Sequence, residues 1–206
     1  VSCVGSKINK LHLRNIVPEK FEIVYHNENI SVAEVPIINH MQILSKQDDF
    51  LIWYIHTKGV FSALHNPNVT SWRKMMEHFV IIKHNKCIEA INSPKCDMCG
   101  SLVYDAYEAP ASCTAKAGHF FAGNFFWSKA SFIRKTPNVM NQFDGRNRWL
   151  AEFVFSRIKW ARFYSFYQKP INNVSQLYSE AIRLEHYMHI IKPSPIPYAR
   201  PMLKLL

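Results

Sequence analysis

Phe50-Leu51-Ile52-Trp53-Tyr54-Ile55-His56-Thr57-Lys58-Gly59-Val60, FLIWYIHTKGV, is the stretch on which the reading of the fold turns. Six apolar side chains run unbroken from Phe50 to Ile55. With no alternation to mark a wet face, the run reads as a strand covered on both sides, the pattern of a parallel sheet between helices. His56-Thr57-Lys58 follows at once, and Gly59 permits a sharp exit. In open α/β sheets, ligands sit outside the carboxyl ends of the strands. The strand therefore delivers His56, Thr57 and Lys58 to a ligand edge. Lys58 suits a phosphate as a compact point charge. His56 suits donation to phosphate, metal binding or the orientation of a hydroxyl. The plainer alternative is a polar strand end with a solvated lysine.

Working outward, residues 1–6 and 21–25 read as strands, the first ending in Gly5-Ser6 and the second turning away through His26-Asn27-Glu28-Asn29. Residues 34–46 read as a helix with Pro36 in its first turn, where a missing N–H costs nothing. Ile37, Met41 and Leu44 share one face of it. Residues 71–90 read as one long helix that turns Trp72, Met75, Met76, Phe79 and Ile82 to the core. Strands are expected at 96–104 and 119–127, a short helix at 128–135 stopped by Pro137, and a helix at 148–162. This alternation predicts α/β layers around a largely parallel sheet, with residues 1–162 as one domain. Residues 163–206 change character, rich in Tyr, Pro and Lys. They read as a helix near 174–191 and an extended arm packed on the same domain.

A chain of 206 residues with 48% hydrophobic content buries a core without disulfide staples and is not disordered. The formal charge of +10, from 25 Lys+Arg against 15 Asp+Glu, favours a polyanionic partner or a phosphate-bearing ligand. The basic residues are scattered, with no aromatic-basic interleaving and no helix-turn-helix signal, so nucleic acid is not the expected partner. Five cysteines at irregular spacing argue against a secreted disulfide framework. No signal peptide and no membrane-spanning apolar run are visible, so a cytoplasmic protein is expected. Sequons at Asn29, Asn68 and Asn173 carry little weight without a secretory route.

Three further segments hold chemistry. In GHFFAGNFFW, Gly123 inside an apolar strand marks a bulge or a close backbone approach. Asn124 is costly to bury unpaired, so it satisfies local backbone or points into a pocket toward a polyhydroxylated ligand. Cys96-Asp97-Met98-Cys99 lacks the second pair that a zinc ribbon needs, which leaves Asp97 as a carboxylate beside a strand. Arg148 and Glu152 stand four residues apart on a helix. They form either an ion pair or a site in which Glu152 is a general base and Arg148 steers phosphate.

EVPIINHMQILSKQDDFLIWYIHTKGV, SWRKMMEHFV, HFFAGNFFWSKASFIRKTP and RNRWLAEFVFSRI, in this order over residues 34–158, resemble a group of small glycosyltransferase-like domains. Such domains occur in bacterial polysaccharide loci and in large algal viruses that glycosylate their own capsid protein. The His-Thr-Lys-Gly and Gly-Asn-Phe-x-Trp elements are specific together and weak apart. The resemblance implies a GT-A-type fold, with one Rossmann-like sheet that binds a nucleotide-sugar, a UDP-sugar first. It implies a glycan or glycoprotein acceptor and, for a viral member, action in the host cytoplasm. It implies that Gly5, Ser6, Asn27, His56, Thr57, Lys58 and Arg148 line the donor, and that His119, Gly123, Asn124 and Trp127 face sugar or acceptor. The base is Glu152 first and Asp97 second. The family's usual Asp-x-Asp motif for Mn²⁺ is missing from the chain, and Asp48-Asp49 precedes the strand, at its wrong end. Lys58 with His56 is expected to neutralise the diphosphate. The alternative is Mn²⁺ or Mg²⁺ on one carboxylate and phosphate oxygens. A non-catalytic carbohydrate binder and a basic nucleic-acid-binding module are the other classes.

Overall fold

The computed structural model describes residues 2–4, 22–57, 66–105, 119–141, 162–167 and 176–195. β1 (Ser2–Val4) and β2 (Tyr25–Asn27) pair in parallel as a small separate sheet, Val4 opposite Asn27. A 3-10 turn at Ile30–Val32 leads into α1 (Val35–Leu44), with Pro36 in the first turn as the sequence requires. The helix buries Val35, Ile38, Met41 and Gln42, a face rotated from the expected one, and Leu44 is exposed. The Gln42 amide explains the rotation. Its Nε2 donates to Thr136 Oγ1 and the Pro137 carbonyl, and its Oε1 accepts from the Val139 N–H. A polar side chain is thus drawn inward and fully used.

The main sheet is mixed, a correction to the largely parallel one expected. Its strands are β3 (Leu51–Tyr54), β4 (Met98–Asp105), β5 (His119–Phe121), β6 (Phe126–Lys129), β7 (Phe163–Tyr167) and β8 (Ser194–Pro195). They lie in the order β3-β6-β4-β7-β8, with β5 continuing alongside β4. β6 runs antiparallel to both its neighbours, and β7 runs parallel to β4. The carboxyl ends of β3, β4 and β7 therefore share one edge. The molecule is an α/β protein with an open sheet flanked by helices.

β3 is an edge strand with one partner among the described residues, which corrects the expectation of a fully buried strand. Ile52 and Tyr54 are buried, whereas Leu51 and Trp53 alternate outward, Trp53 at 39% exposure. Trp53 stacks on Trp127 directly across the strands, ring centroids 5.7 Å apart, so its ring is partly covered by a cross-strand partner. The unbroken apolar run records two apolar faces and not two covered ones.

Residues 119–127 were expected as one strand and form two, β5 and β6, separated by a bulge. Phe121 lies opposite Val103 and Phe126 opposite Gly100, so five steps on one strand match three on the other. The extra residues coil through a tight turn closed by the Asn124 N–H on the Phe121 carbonyl. Gly123 there has φ +86°, and Asn124 has φ +58°.

α2 (Pro67–Glu77) starts at Asn66, whose side chain accepts from the Asn68 and Val69 N–H groups. It buries Val69, Trp72, Met75 and Met76. The single long helix expected is broken by a π-helical turn, His78–Ile82, before α3 (His84–Asn92). The wider turn shifts the face, and Ile82, expected in the core, stands 68% exposed. On one side of the sheet α1 and α4 (Ala130–Ile133) cover Ile52, Tyr54, Met98, Phe126 and Phe163. On the other side α2, the π turn and α3 cover Cys99, Leu102, Phe125 and Phe166.

Cys87 of α3 and Cys99 of β4 are joined as a disulfide, both fully buried, a single bridge in a chain whose cysteine spacing argues against a disulfide framework. Contact between α3 and β4 brings their Cα atoms to 5.4 Å, the separation a disulfide requires. The segment read as a tail supplies β7 and β8 to the sheet. In place of one helix it holds α5 (Gln176–Ser179) and a 3-10 turn at Leu184–His186. Among the described residues no helix is long and apolar enough to cross a membrane.

Candidate functional site

At the shared carboxyl edge, three separate pieces of chain meet. They are the residues after β3, the bulge between β5 and β6, and the residue ahead of α1. Glu34 is at the N-cap position of α1 but makes no side-chain cap bond. Its carboxylate turns to the sheet instead. Oε2 accepts from the Tyr54 hydroxyl at 2.8 Å and from Asn124 Nδ2 at 2.6 Å. Oε1 lies 3.3 Å from His56 Nδ1. The other ring nitrogen, Nε2, is 2.7 Å from the Gly123 carbonyl oxygen. The His56 ring lies over Tyr54 and meets the edge of Phe125.

A carbonyl only accepts, so Nε2 carries hydrogen whenever this bond is made. In the neutral ring Nδ1 is then a lone pair facing a carboxylate. In the cationic ring both nitrogens donate, and His56 and Glu34 form an ion pair. Either way both nitrogens face protein groups. His56 is thus a clamp between strand end, bulge and helix start, and it offers no free ring nitrogen to phosphate or metal.

Backbone geometry at the same place is unusual. The described non-glycine residues with positive φ are Ala33, at 44°, and Asn124. Ala33 directly precedes Glu34, and Asn124 donates to it. With Gly123, every positive-φ residue described surrounds one carboxylate. A left-handed alanine costs on the order of 1–2 kcal/mol, a strain of the kind that collects at functional sites. Gly123 is fixed doubly. A Cβ there would collide with Met76 Sδ and sit 3.0 Å from Trp72 Cζ2, so α2 presses directly on the bulge.

The sequence candidates divide clearly. His56, Gly123 and Asn124 come together, and Thr57 follows His56 on the exposed rim. Asn27 is a turn former that accepts from the Asn29 N–H and donates to the Tyr25 hydroxyl. Trp127 is turned to the other side of the sheet, its Nε1 donating to the Val80 carbonyl, and is not brought to the cluster. His119 lies in β5 opposite Asp105, and its side chain is outside the described set. Gly5, Ser6, Lys58, Arg148 and Glu152 lie outside the described residues.

Asp97, the second choice of base, lies toward the opposite edge of the sheet from His56. Gly100 is level with Phe126 and Tyr54, and Asp97 is three residues back while His56 is two beyond. At about 3.3 Å per residue the two are roughly 16 Å apart along the strands. Asp97 is buried and accepts from Arg162 three times, at the backbone N–H, Nε and Nη2. It anchors the start of β7 to the start of β4.

Among the described residues no group of three or more His, Cys, Asp or Glu side chains is placed to hold a metal ion. Glu34 and His56 alone do not make one, because both His56 ring nitrogens face protein groups and one carboxylate is left by itself.

Residues 35–150 match a family described as a domain of unknown function (DUF8361). The match covers more than half of the chain, and the chain belongs to that family. It includes His56, Gly123 and Asn124 and begins one residue after Glu34. No curated protein and no solved structure matches the chain.

Proposed function

We propose that this protein is a glycosyltransferase of GT-A-like architecture, moving a sugar from a nucleotide-sugar, a UDP-sugar first, to a glycan or glycoprotein. One observation carries the reading. The two sequence elements most specific to the resemblance, His56-Thr57-Lys58-Gly59 and Gly123-Asn124-Phe125, meet through the bond between His56 Nε2 and the Gly123 carbonyl. They meet at the carboxyl edge of an open α/β sheet, where such folds bind ligands. Residues 67 apart in sequence are joined at that bond.

Roles follow from placement and charge. His56 fixes the bulge. Lys58, two residues further on, and Arg148 are the cations proposed for the diphosphate, and Gly5 and Ser6 follow β1 as proposed nucleotide contacts. Glu152 remains the proposed base for an inverting transfer. Asn124 and Glu34 face the sugar. Mn²⁺ or Mg²⁺ is proposed only as a companion of the donor diphosphate, and no step here depends on it.

The test is a thermal-shift panel of UDP-, GDP-, CMP- and TDP-sugars, with and without Mn²⁺. A ligand at one hundred times its dissociation constant adds about 2.7 kcal/mol of stability. One nucleotide family is expected to stabilise the protein, and Lys58→Ala to abolish that gain with folding intact. No shift with any nucleotide overturns the reading. Donor hydrolysis without acceptor separates a transferase from a carbohydrate binder that keeps only the cleft.

A further inference from the structure

We infer that Glu34 is a hydroxyl-recognition residue, taking a sugar hydroxyl of the ligand at its Oε1 and holding phosphate away from this part of the cleft. The inference rests on the proposed transferase reading only in naming the sugar as part of a nucleotide-sugar.

The hydrogen-bond capacity of the carboxylate is the starting point. An ionised carboxylate offers about four acceptor positions. Oε2 uses two, on Tyr54 and Asn124, and both bonds are short. Oε1 has only the 3.3 Å contact with His56 Nδ1 among the described residues. Among the described residues, then, an acceptor oxygen with room for another donor is held rigidly by its twin. Glu34 is 18% exposed and His56 19%, so the pair is reachable from solvent without being free to move. A carboxylate in that position attracts a neutral donor and repels a diphosphate, and the neighbours reinforce the choice. Tyr54 and Asn124 spend their donors on Glu34, and His56 spends Nε2 on the Gly123 carbonyl. Among the described residues no cationic donor is left over at this cluster for a phosphate. A ligand group that approaches Oε1 must bring its own donor, such as an O–H.

A purely structural tie is the competing account. It leaves the left-handed Ala33 unexplained, because an uncapped helix start gains nothing from placing its N-cap carboxylate 90 residues away on a bulge. Strain maintained to aim one acidic group is what a recognition site requires.

The experiment is calorimetric binding of three probes to the wild type and to Glu34→Gln: the nucleotide-sugar found in the panel, its bare nucleoside diphosphate, and a series of mono-deoxy sugar donors. A hydrogen bond to a charged group corresponds to about tenfold to a hundredfold in affinity. Glu34→Gln is expected to weaken the nucleotide-sugar by that factor and leave the bare diphosphate within about twofold. One deoxy donor is expected to bind the wild type equally weakly and to lose nothing further in the variant. Equal losses for sugar donor and bare diphosphate overturn the inference, as does a deoxy series in which every member binds the wild type like the parent. That second arm needs no variant, so misfolding of Glu34→Gln does not rescue the idea. If the wild type binds no nucleotide, the transferase reading fails. The inference is then judged on neutral oligosaccharides: binding that Glu34→Gln abolishes sustains it, and no binding overturns it.

Discussion

Replacing Gly123 by alanine tests the site's construction from underneath. Two costs add and one offsets them. The residue has φ +86°, where an L side chain is strained by on the order of 1–2 kcal/mol. Its new methyl would meet Met76 Sδ, with Met76 Cε at 2.9 Å and Trp72 Cζ2 at 3.0 Å, and overpacking of this kind costs about 1–3 kcal/mol. The alanine also restricts the unfolded chain, which returns about 0.4–1 kcal/mol. The expected net loss is about 3 kcal/mol, read by urea unfolding with an unchanged slope. The steric part is separable. In a Met76→Ala background the Met76 collision is gone, so the same substitution there should cost the backbone strain and the tight approach to Trp72 alone, a coupling of about 1–2 kcal/mol in the double-mutant cycle. Ligand affinity should fall as well, because the Gly123 carbonyl holds His56. A loss under about 1 kcal/mol, or a cost unchanged by removing Met76, would refute the claim that α2 shapes the bulge.

Three further outcomes are expected. Asp97→Asn should cost about 2–3 kcal/mol, at the lower end for a broken buried pair because Arg162 is 38% exposed, yet leave donor affinity unchanged; a selective loss of turnover would return Asp97 to the active site. His78 has its pKa lowered from 6.5 by burial and then by Lys83, so the unfolded chain takes up a proton first and stability should decline as pH falls below 6.5; His78→Phe should flatten that slope, and parallel wild-type and variant curves would contradict the assignment. The Cys87–Cys99 bond closes a loop of 12 residues, so replacing both by alanine should cost about 3 kcal/mol; the Cys96 thiol, pushed up to about 12 chiefly by burial, should resist alkylation at neutral pH until the protein unfolds, and rapid native alkylation of Cys96 or a missing Cys87–Cys99 cross-linked peptide would count against this packing.

Local signals in the sequence carried local structure well. Pro36 opens the helix it should open, and the polar residues after Ile55 do mark a strand end, whereas α2 starts at Pro67, ahead of the start expected at residue 71. Whatever depends on partners was less legible. The run from Phe50 to Ile55 has the composition of a central strand, and it lies at an edge because sheet order is set by distant β4 and β6, not by the strand itself. A π turn inserts into a helix without a sequence period to announce it, so Ile82 moved from core to surface. Cys87 and Cys99 carried no framework spacing, and only the docking of α3 on β4 brings them within bonding distance.

Glu34, which is not among the sequence candidates, shows why a side-chain cluster is harder to read than a fold. Alone in sequence it is an acidic residue before a helix, and the electrostatics of a helix start accounts for it fully. Its role rests on bonds to Tyr54, 20 residues on, and Asn124, 90 residues on. The one clue within reach was Asn124 itself. A buried amide at a left-handed turn must find a partner, and an asparagine with a spare donor implies an acceptor brought from elsewhere. Asking which carboxylate could satisfy Asn124 narrows the search to the chain's 15 acidic residues. Asking which of them precedes a helix packed on the same sheet face narrows it further, because α1 and β6 cover one core. Satisfaction of a buried polar group, in place of spacing, is the signal by which the sequence points to this cluster.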